Sequence, residues 1–295
     1  MRKNRKSTLN DILNSSVDYL TQKNIENPRL NAELLLCHVL KLNRVDLYVN
    51  YKRSVTAEEI DQIETLLTRR AAHEPLQYVI GETEFMFVHL NVNKSVLIPR
   101  PETEILVEFI VDYVHTLDRN DVPSKILDIG TGSGNIAISL AKALPETRLS
   151  AIDISPEALD VALENAIMNG VANSIRFQED DVLADDFGLI FPDKFDIVVS
   201  NPPYIKESDY QKLPDEIRLY EPQQALLATD NGLLYYKAIA RSCDRLLRNR
   251  GLIACEIGSD QRDDVMRVFS SARLSSIRCL KDLAGNDRIV AAIKN

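Results

Sequence analysis

The five residues Ser200-Asn201-Pro202-Pro203-Tyr204 hold the most telling chemistry in the chain. They follow Phe195-Asp196-Ile197-Val198-Val199, a short β-branched run that reads as a buried parallel strand. Two prolines directly after a strand end it, because neither can donate a ladder hydrogen bond. Each also drives its predecessor toward extended geometry. The result is a stiff corner at a strand's carboxyl end, offering the Asn201 side-chain oxygen, the Pro202 carbonyl and the Tyr204 ring. Two acceptors and a flat ring suit a planar –NH2 group on a π system. The acceptors take its two N–H bonds while the ring covers its face. Alone, the tetrapeptide can equally be a strand terminator, with Pro203 only stiffening the turn.

Its position downstream of a glycine-rich loop changes that balance. Asp128-Ile129-Gly130-Thr131-Gly132-Ser133-Gly134 closes a strand and opens a helix, and the three glycines permit a tight turn and close backbone approach to a ligand. A second strand ends at Asp153, 19 residues beyond Gly134, where a carboxylate can accept both hydroxyls of a ribose. These features suit a dinucleotide or S-adenosylmethionine. The dinucleotide fingerprint puts its third glycine at position 135, which here is Asn135, and a carboxylate at 128 sits poorly beside a pyrophosphate. With the amide-gripping corner, S-adenosylmethionine is the expected cofactor and S-adenosylhomocysteine its product. Asp128 either orients the loop or helps hold the ammonium of the methionine part. Asp153 either binds the ribose or caps the Ser155-Pro156-Glu157 helix. After a third strand, Asp180 or Asp181 can reach an adenine or simply carry solvated charge.

The elements that position these residues alternate strand and helix from residue 125 onward. Strands are expected at 125–129, 149–153, 174–178, 195–199, 251–257, 277–281 and 288–293, with helices near 135–143, 156–168, 233–248 and 260–271. This predicts an α/β fold, a Rossmann-like seven-stranded and mostly parallel sheet covered on both faces. Such sheets bind ligands at the carboxyl ends of central strands, where strand order reverses. Residues 1–80 read instead as a small helical bundle, with a capping box at Thr56-Ala57-Glu58-Glu59. Residues 81–97 form an extended or hairpin linker around Phe85-Met86-Phe87-Val88-His89-Leu90, and 98–295 form the catalytic domain.

Charge narrows the partners. The net charge is −9, and residues 1–80 carry 12 Lys/Arg against 10 Asp/Glu while the remainder carries 23 against 34. A domain so acidic makes a poor general binder of polyanions, and no stable nucleic-acid binding is expected. No apolar run is long enough to span a bilayer, and the basic start Met1–Lys6 lacks the apolar stretch of a signal peptide, so a cytoplasmic protein is expected. Cys37, Cys243, Cys255 and Cys279, like the four histidines, have no spacing that suggests a metal site or a redox pair, and reduced thiols are expected.

The motifs together resemble those of the release-factor glutamine methyltransferases (the PrmC/HemK family), class I S-adenosylmethionine-dependent methyltransferases. The resemblance covers nearly the whole chain. It rests on Glu74-Pro75-Leu76-Gln77-Tyr78-Val79-Ile80-Gly81, Ile98-Pro99-Arg100-Pro101-Glu102-Thr103-Glu104, Tyr220-Glu221-Pro222, Gly232-Leu233, Glu256-Ile257-Gly258 and Gly285-Asn286-Asp287-Arg288, besides the two loops above. It implies methylation of the glutamine amide in the Gly-Gly-Gln motif of peptide chain release factors, with no metal. In that picture Asn201 and Pro202 grip the amide, Pro203 and Tyr204 line its slot, and Arg100, Pro101 and Glu102 are candidates for the slot's other wall. Gly130, Thr131, Gly132, Ser133 and Gly134 cradle the methionine part beside Asp128, Asp153 binds the ribose, and Asp181 and Val182 meet the adenine. The helical domain docks the release factor, and the enzyme is expected to act as a monomer. Val182 departs from the family, which often has an aromatic residue there, as do Met86 and the stretch Ala228-Thr229-Asp230-Asn231-Gly232, which lacks a frequent glycine pair. The asparagine-led turn by itself would also fit an amino-group methyltransferase acting on adenine or guanine.

Overall fold

The computed structural model describes residues 7–117 and 124–295; the basic start, expected to be loose, lies outside the described residues. The chain forms two units, residues 1–81 with 215–220, and 82–214 with 221–295.

The first unit is helical: α1 (Leu9–Gln22), α2 (Pro28–Leu40), α3 (Arg44–Val49), α4 (Ala57–Ala71) and α5 (Leu76–Ile80). Capping boxes at Thr8, Asn43 and Thr56 open α1, α3 and α4, each satisfying two backbone donors that a helix start leaves orphaned. Leu9, Leu13, Leu20, Leu35, Leu36, Ile63 and Leu67 make its core. A buried cation ties it together. Arg70 donates to Asn31 Oδ1 at 2.7 Å and to the Glu74 carbonyl at 3.0 Å, and pairs with Glu216 at 2.6 Å. The Tyr220 hydroxyl donates to the Ala72 carbonyl at 2.6 Å. These two contacts recruit the short helix Asp215–Tyr220, distant in sequence, into the unit.

The second unit opens with a hairpin, β1 (Glu82–Phe85) and β2 (Val88–Asn91). Met86 and Phe87 turn it with φ of 46° and 63°, the positive pair that matches strand twist in two-residue loops. The hairpin lies within the stretch 81–97, and Phe85, Val88 and Leu90 are buried in the core of this unit. Helix α6 (Glu104–Thr116) follows, and then β3 (Lys125–Ile129), α7 (Asn135–Ala143), β4 (Arg148–Asp153), α8 (Pro156–Met168), β5 (Ile175–Glu179), β6 (Phe195–Ser200), α9 (Leu234–Leu246), β7 (Leu247–Glu256), α10 (Arg262–Ser271), β8 (Leu274–Lys281) and β9 (Asp287–Lys294). The sheet order is β5-β4-β3-β6-β7-β9-β8, parallel except for β9, which runs antiparallel to both neighbours.

Burial on both faces explains the unbroken apolar strands. In β6 and β7, Ile197, Val199, Leu252 and Ala254 pack toward α6 and α7, while Val198, Ile253 and Cys255 pack toward α9 and α10. Strand β7 begins four residues before the expected start, because Leu247 already pairs with Phe195 ahead of a register shift.

One fully buried side chain joins the hairpin to α8 and the glycine loop. Asn165, on α8, accepts the Asn91 N–H at 2.7 Å and donates to the Asn91 carbonyl at 3.0 Å and the Ser133 carbonyl at 2.9 Å. Replacing Asn165 with Ala leaves those three backbone groups without their partner, and each buried unsatisfied group costs about 1–3 kcal/mol. The expected loss, on the order of 3 kcal/mol, is read from urea unfolding; a change below about 1 kcal/mol would mean the clamp is dispensable.

Candidate active site

Strand order reverses between β3 and β6, and their last residues, Ile129 and Ser200, pair in register. The glycine loop and the Asn-Pro-Pro-Tyr corner therefore leave the sheet side by side. The Ser200 hydroxyl fixes the junction by donating to the Ile129 carbonyl at 2.7 Å.

The loop is held by backbone and carboxylate together. Gly130, Gly132 and Gly134 have φ of 72°, 54° and 81°, conformations open to residues without a Cβ. The N–H groups of Gly130 and Thr131 both donate to the Ile152 carbonyl at 2.9 Å. Asp153 Oδ2 accepts the Gly132 N–H at 2.9 Å, and its Oδ1 accepts the Ser155 N–H at 3.0 Å. Ser155 itself caps α8 by accepting the Ala158 N–H. Each Asp153 oxygen retains acceptor capacity, while burial raises this carboxyl above its usual range. Asp128 is completely buried. Its Oδ2 accepts the Thr131 hydroxyl at 2.7 Å. Burial pushes Asp128 up to about 7 against the pull of Thr131, with repulsion from Asp153 adding to the rise.

A single cavity collects half of the site residues singled out in the sequence. Gly130, Gly132 and Asp153 line one side, Asp181 and Val182 a second, and Asn201, Pro202 and Pro203 a third. Ile154 and Leu183, each one residue beyond a position singled out in the sequence, add apolar walls, with Val96, Leu97 and Tyr235. Asp180 lines the cavity as well, its carboxylate accepting the N–H groups of Asp181 at 3.0 Å and Gly188 at 3.1 Å.

Other predicted residues lie behind the walls. Asp128, Thr131 and Ser133 are buried beneath the loop, and Gly134 packs so closely on α8 that a Cβ there would stand 3.2 Å from the Ala162 Cβ. Tyr204 does not line the cavity; its ring packs on the core beneath, and burial pushes its hydroxyl up to about 12. Arg100, Pro101 and Glu102 are also outside the lining. Arg100 pairs at 2.6 Å with the buried Glu221, and Pro101 and Glu102 sit exposed on a 3-10 turn.

Two supports of the corner carried no separate signal in the sequence. The Asn201 Nδ2 donates to the Thr103 hydroxyl at 3.1 Å. On the far side, Gln261 Nε2 donates to the Tyr204 carbonyl at 3.1 Å, and its Oε1 accepts the Gly258 N–H at 3.0 Å. Gly232 is obligatory there, since a Cβ would stand 2.4 Å from both the Tyr204 carbonyl oxygen and Gln261 Nε2.

The site therefore joins a carboxylate-held glycine loop to a donor-poor acceptor corner within one largely apolar cavity. Among the described residues, no helix is long and apolar enough to cross a membrane.

Two family models match the chain, the PrmC N-terminal domain over residues 11–81 and the methyltransferase small domain over residues 109–228. The release factor glutamine methyltransferase of Chlorobaculum tepidum is 41% identical over 280 residues, covering 94% of both chains. Those of Geobacter sulfurreducens and Fusobacterium nucleatum are each 38% identical, covering 96% of this chain and 95% and 78% of their own. Among solved structures, the catalytic domain of hMettl16 in complex with an RNA hairpin superimposes with a TM-score of 0.56 at 16% identity, covering 80% of this chain and 82% of that one, which is a likeness of fold. With relatives this similar along nearly its whole length, the chain belongs to the release factor glutamine methyltransferase family.

Proposed function

We propose that this protein uses S-adenosylmethionine to methylate the side-chain amide nitrogen of the glutamine in the Gly-Gly-Gln motif of peptide chain release factors. The observation that carries the reading is the shared cavity. Asn201 and Pro202 line the same space that Gly130, Gly132 and Asp153 line.

The residues fit that cofactor. Asp153 has acceptor sites left for ribose hydroxyls, and the apolar faces of Ile154, Val182 and Leu183 suit a purine ring. The aliphatic Val182 covers less of such a ring than an aromatic residue would. Asp128 lies buried under the loop, where its ionised form would favour a nearby ammonium by charge. When bound, S-adenosylmethionine supplies a methyl group already activated on a sulfonium.

The chain's own residues then have a restricted task. An amide nitrogen is a poor nucleophile because its lone pair is delocalised into the carbonyl. The Asn201 side-chain oxygen and the Pro202 carbonyl take its two N–H bonds, fixing its orientation, and well-oriented reactions gain on the order of 7–11 kcal/mol. The same acceptors stabilise the positive charge that grows on a nitrogen gaining a bond. Pro202 and Pro203 contribute by absence, since neither has an N–H to compete for those acceptors. The surplus proton leaves to water. Tyr204 stiffens the corner from below, and Arg100, held by Glu221, stiffens the segment that carries Thr103. The helical unit serves as the docking module for the release factor, and the enzyme works as a cytoplasmic monomer.

Incubating the protein with S-adenosylmethionine and an unmethylated release factor is expected to add one methyl group, seen by intact mass and mapped by fragmentation to the glutamine of Gly-Gly-Gln. Transfer to nucleic acid with none to the release factor would replace this reading with that of a nucleobase methyltransferase. Asn201→Ala is expected to lower kcat by about a hundredfold or more while cofactor affinity changes far less; near-normal turnover would remove Asn201 from the mechanism. Asp153→Ala is expected to weaken cofactor binding in calorimetry by at least about tenfold, and unchanged affinity would leave Asp153 only its place in the loop.

A further inference from the structure

Asn201 can serve as an acceptor only if its amide is turned the right way round. An asparagine side chain presents oxygen or NH2 in nearly the same shape, and the wrong face would point two donors at the donor groups it should receive. The corner itself does not decide between them. The decision comes from two buried residues whose place in the reaction no motif assigns.

The Thr103 hydroxyl lies between Asn201 and Glu256. It stands 2.6 Å from Glu256 Oε2 and 3.1 Å from Asn201 Nδ2. Thr103 and Glu256 are each 1% exposed, so water does not compete for these bonds. Glu256 ends β7 beside the end of β6, where Ser200 pairs with Cys255, so the carboxylate stands one residue past that pair, as Asn201 does on its own strand. The Tyr236 hydroxyl pins this strand end by donating to the Glu256 carbonyl at 2.9 Å.

We infer that Thr103 and Glu256 are positioning residues that set the polarity of Asn201, a conclusion that rests on the amide-methylation reading. A hydroxyl has one proton. An ionised Glu256 has none to give, so Thr103 must donate to it. The lone pairs of Thr103 Oγ1 are then left for Asn201, and only the NH2 end of that amide can meet them. The Asn201 oxygen is thereby committed to the cavity side. Protonating Glu256 removes this constraint. The neutral acid can donate to Thr103, Thr103 can donate to Asn201 Oδ1, and the reversed chain turns NH2 toward the incoming amide.

The surroundings make that switch accessible near neutrality. Burial pushes Glu256 up to about 7, Arg288 on β9 and Arg100 draw it back, and Glu102 adds to the rise. Tyr204, which also faces it, stays neutral because burial pushes its hydroxyl up to about 12, and burial raises Tyr236 well above its ordinary value. The sign follows directly. The ionised form of Glu256 is the productive one, so kcat rises with pH through the neutral range and levels off above it.

The test compares wild type with Thr103→Val, Thr103→Ser and Glu256→Gln, all full length, using an unmethylated release factor and S-adenosylmethionine. Thr103→Val keeps the shape and removes the hydroxyl; it is expected to lower kcat by about a hundredfold, with cofactor affinity in calorimetry within about twofold of wild type. Thr103→Ser restores the hydroxyl and is expected to recover kcat to within a few-fold, which mere loss of packing would not predict. Glu256→Gln is expected to lower kcat and abolish the rise through neutral pH. Wild-type kcat in Thr103→Val, a Thr103→Ser enzyme as poor as Thr103→Val, or an unchanged pH limb in Glu256→Gln would each overturn the relay. Those results leave the substrate reading intact, whereas absence of methyl transfer by the wild type would overturn that reading and the relay with it.

Discussion

The parallel pairing of β3 with β6 is the constraint on which the rest of the site depends. Its last register pair, Ile129 with Ser200, brings two loops that lie about seventy residues apart in sequence to one rim. Parallel neighbours leave a sheet at the same end, so a loop following each must share the space above it. Had the two strands run antiparallel, the glycine loop and the proline corner would stand at opposite ends of the sheet. The Ser200 hydroxyl, fully buried, locks this arrangement where the ladder itself ends.

A corner built from Asn-Pro-Pro-Tyr gains its acceptors at the expense of its own stability. Two prolines remove two backbone donors, so the corner cannot tie itself down through its own N–H groups. Support has to come from outside. Gln261 reaches in from one side to the Tyr204 carbonyl, Thr103 from another to the Asn201 side chain, and Ser200 holds the base. This gives physical content to motifs scattered along the chain. Gly232 leaves room for Gln261, Glu256 anchors Thr103, and Glu221 anchors Arg100 immediately before the 3-10 turn begins.

Much of this was legible in the sequence because it obeys local rules. The strands, the glycine loop and the four helices from 135 onward follow from hydrophobic period and breaker residues, and the capping box at Thr56 was legible too. What could not be read depended on contacts between distant residues. Arg70 draws Glu216 into the helical unit across 146 positions, and Thr103 meets Glu256 across 153. Asn165 has no feature distinguishing it from a solvated helix asparagine until its partners on Asn91 and Ser133 are known. Residue type made Tyr204 a wall of the substrate slot and the family resemblance made Arg100 a candidate for it, while their placement is governed by burial and by Glu221.

The buried acids show why the site tolerates charges that a sheet interior would ordinarily reject. Asp128 and Glu256 sit at the ends of β3 and β7, and burial pushes each up to about 7. Their folded pKa lies above the ordinary carboxyl value, so below that value burial exacts no ionisation cost, and as pH rises through about 7 the fold must carry the charge. A core optimised for stability alone would replace both with apolar residues. Each instead accepts a threonine hydroxyl, Asp128 from Thr131 in the cofactor loop and Glu256 from Thr103 under the amide corner. At the second of these, an ionised, donor-free carboxylate fixes the direction of the Thr103 hydroxyl proton, and the hydroxyl passes that direction on to Asn201.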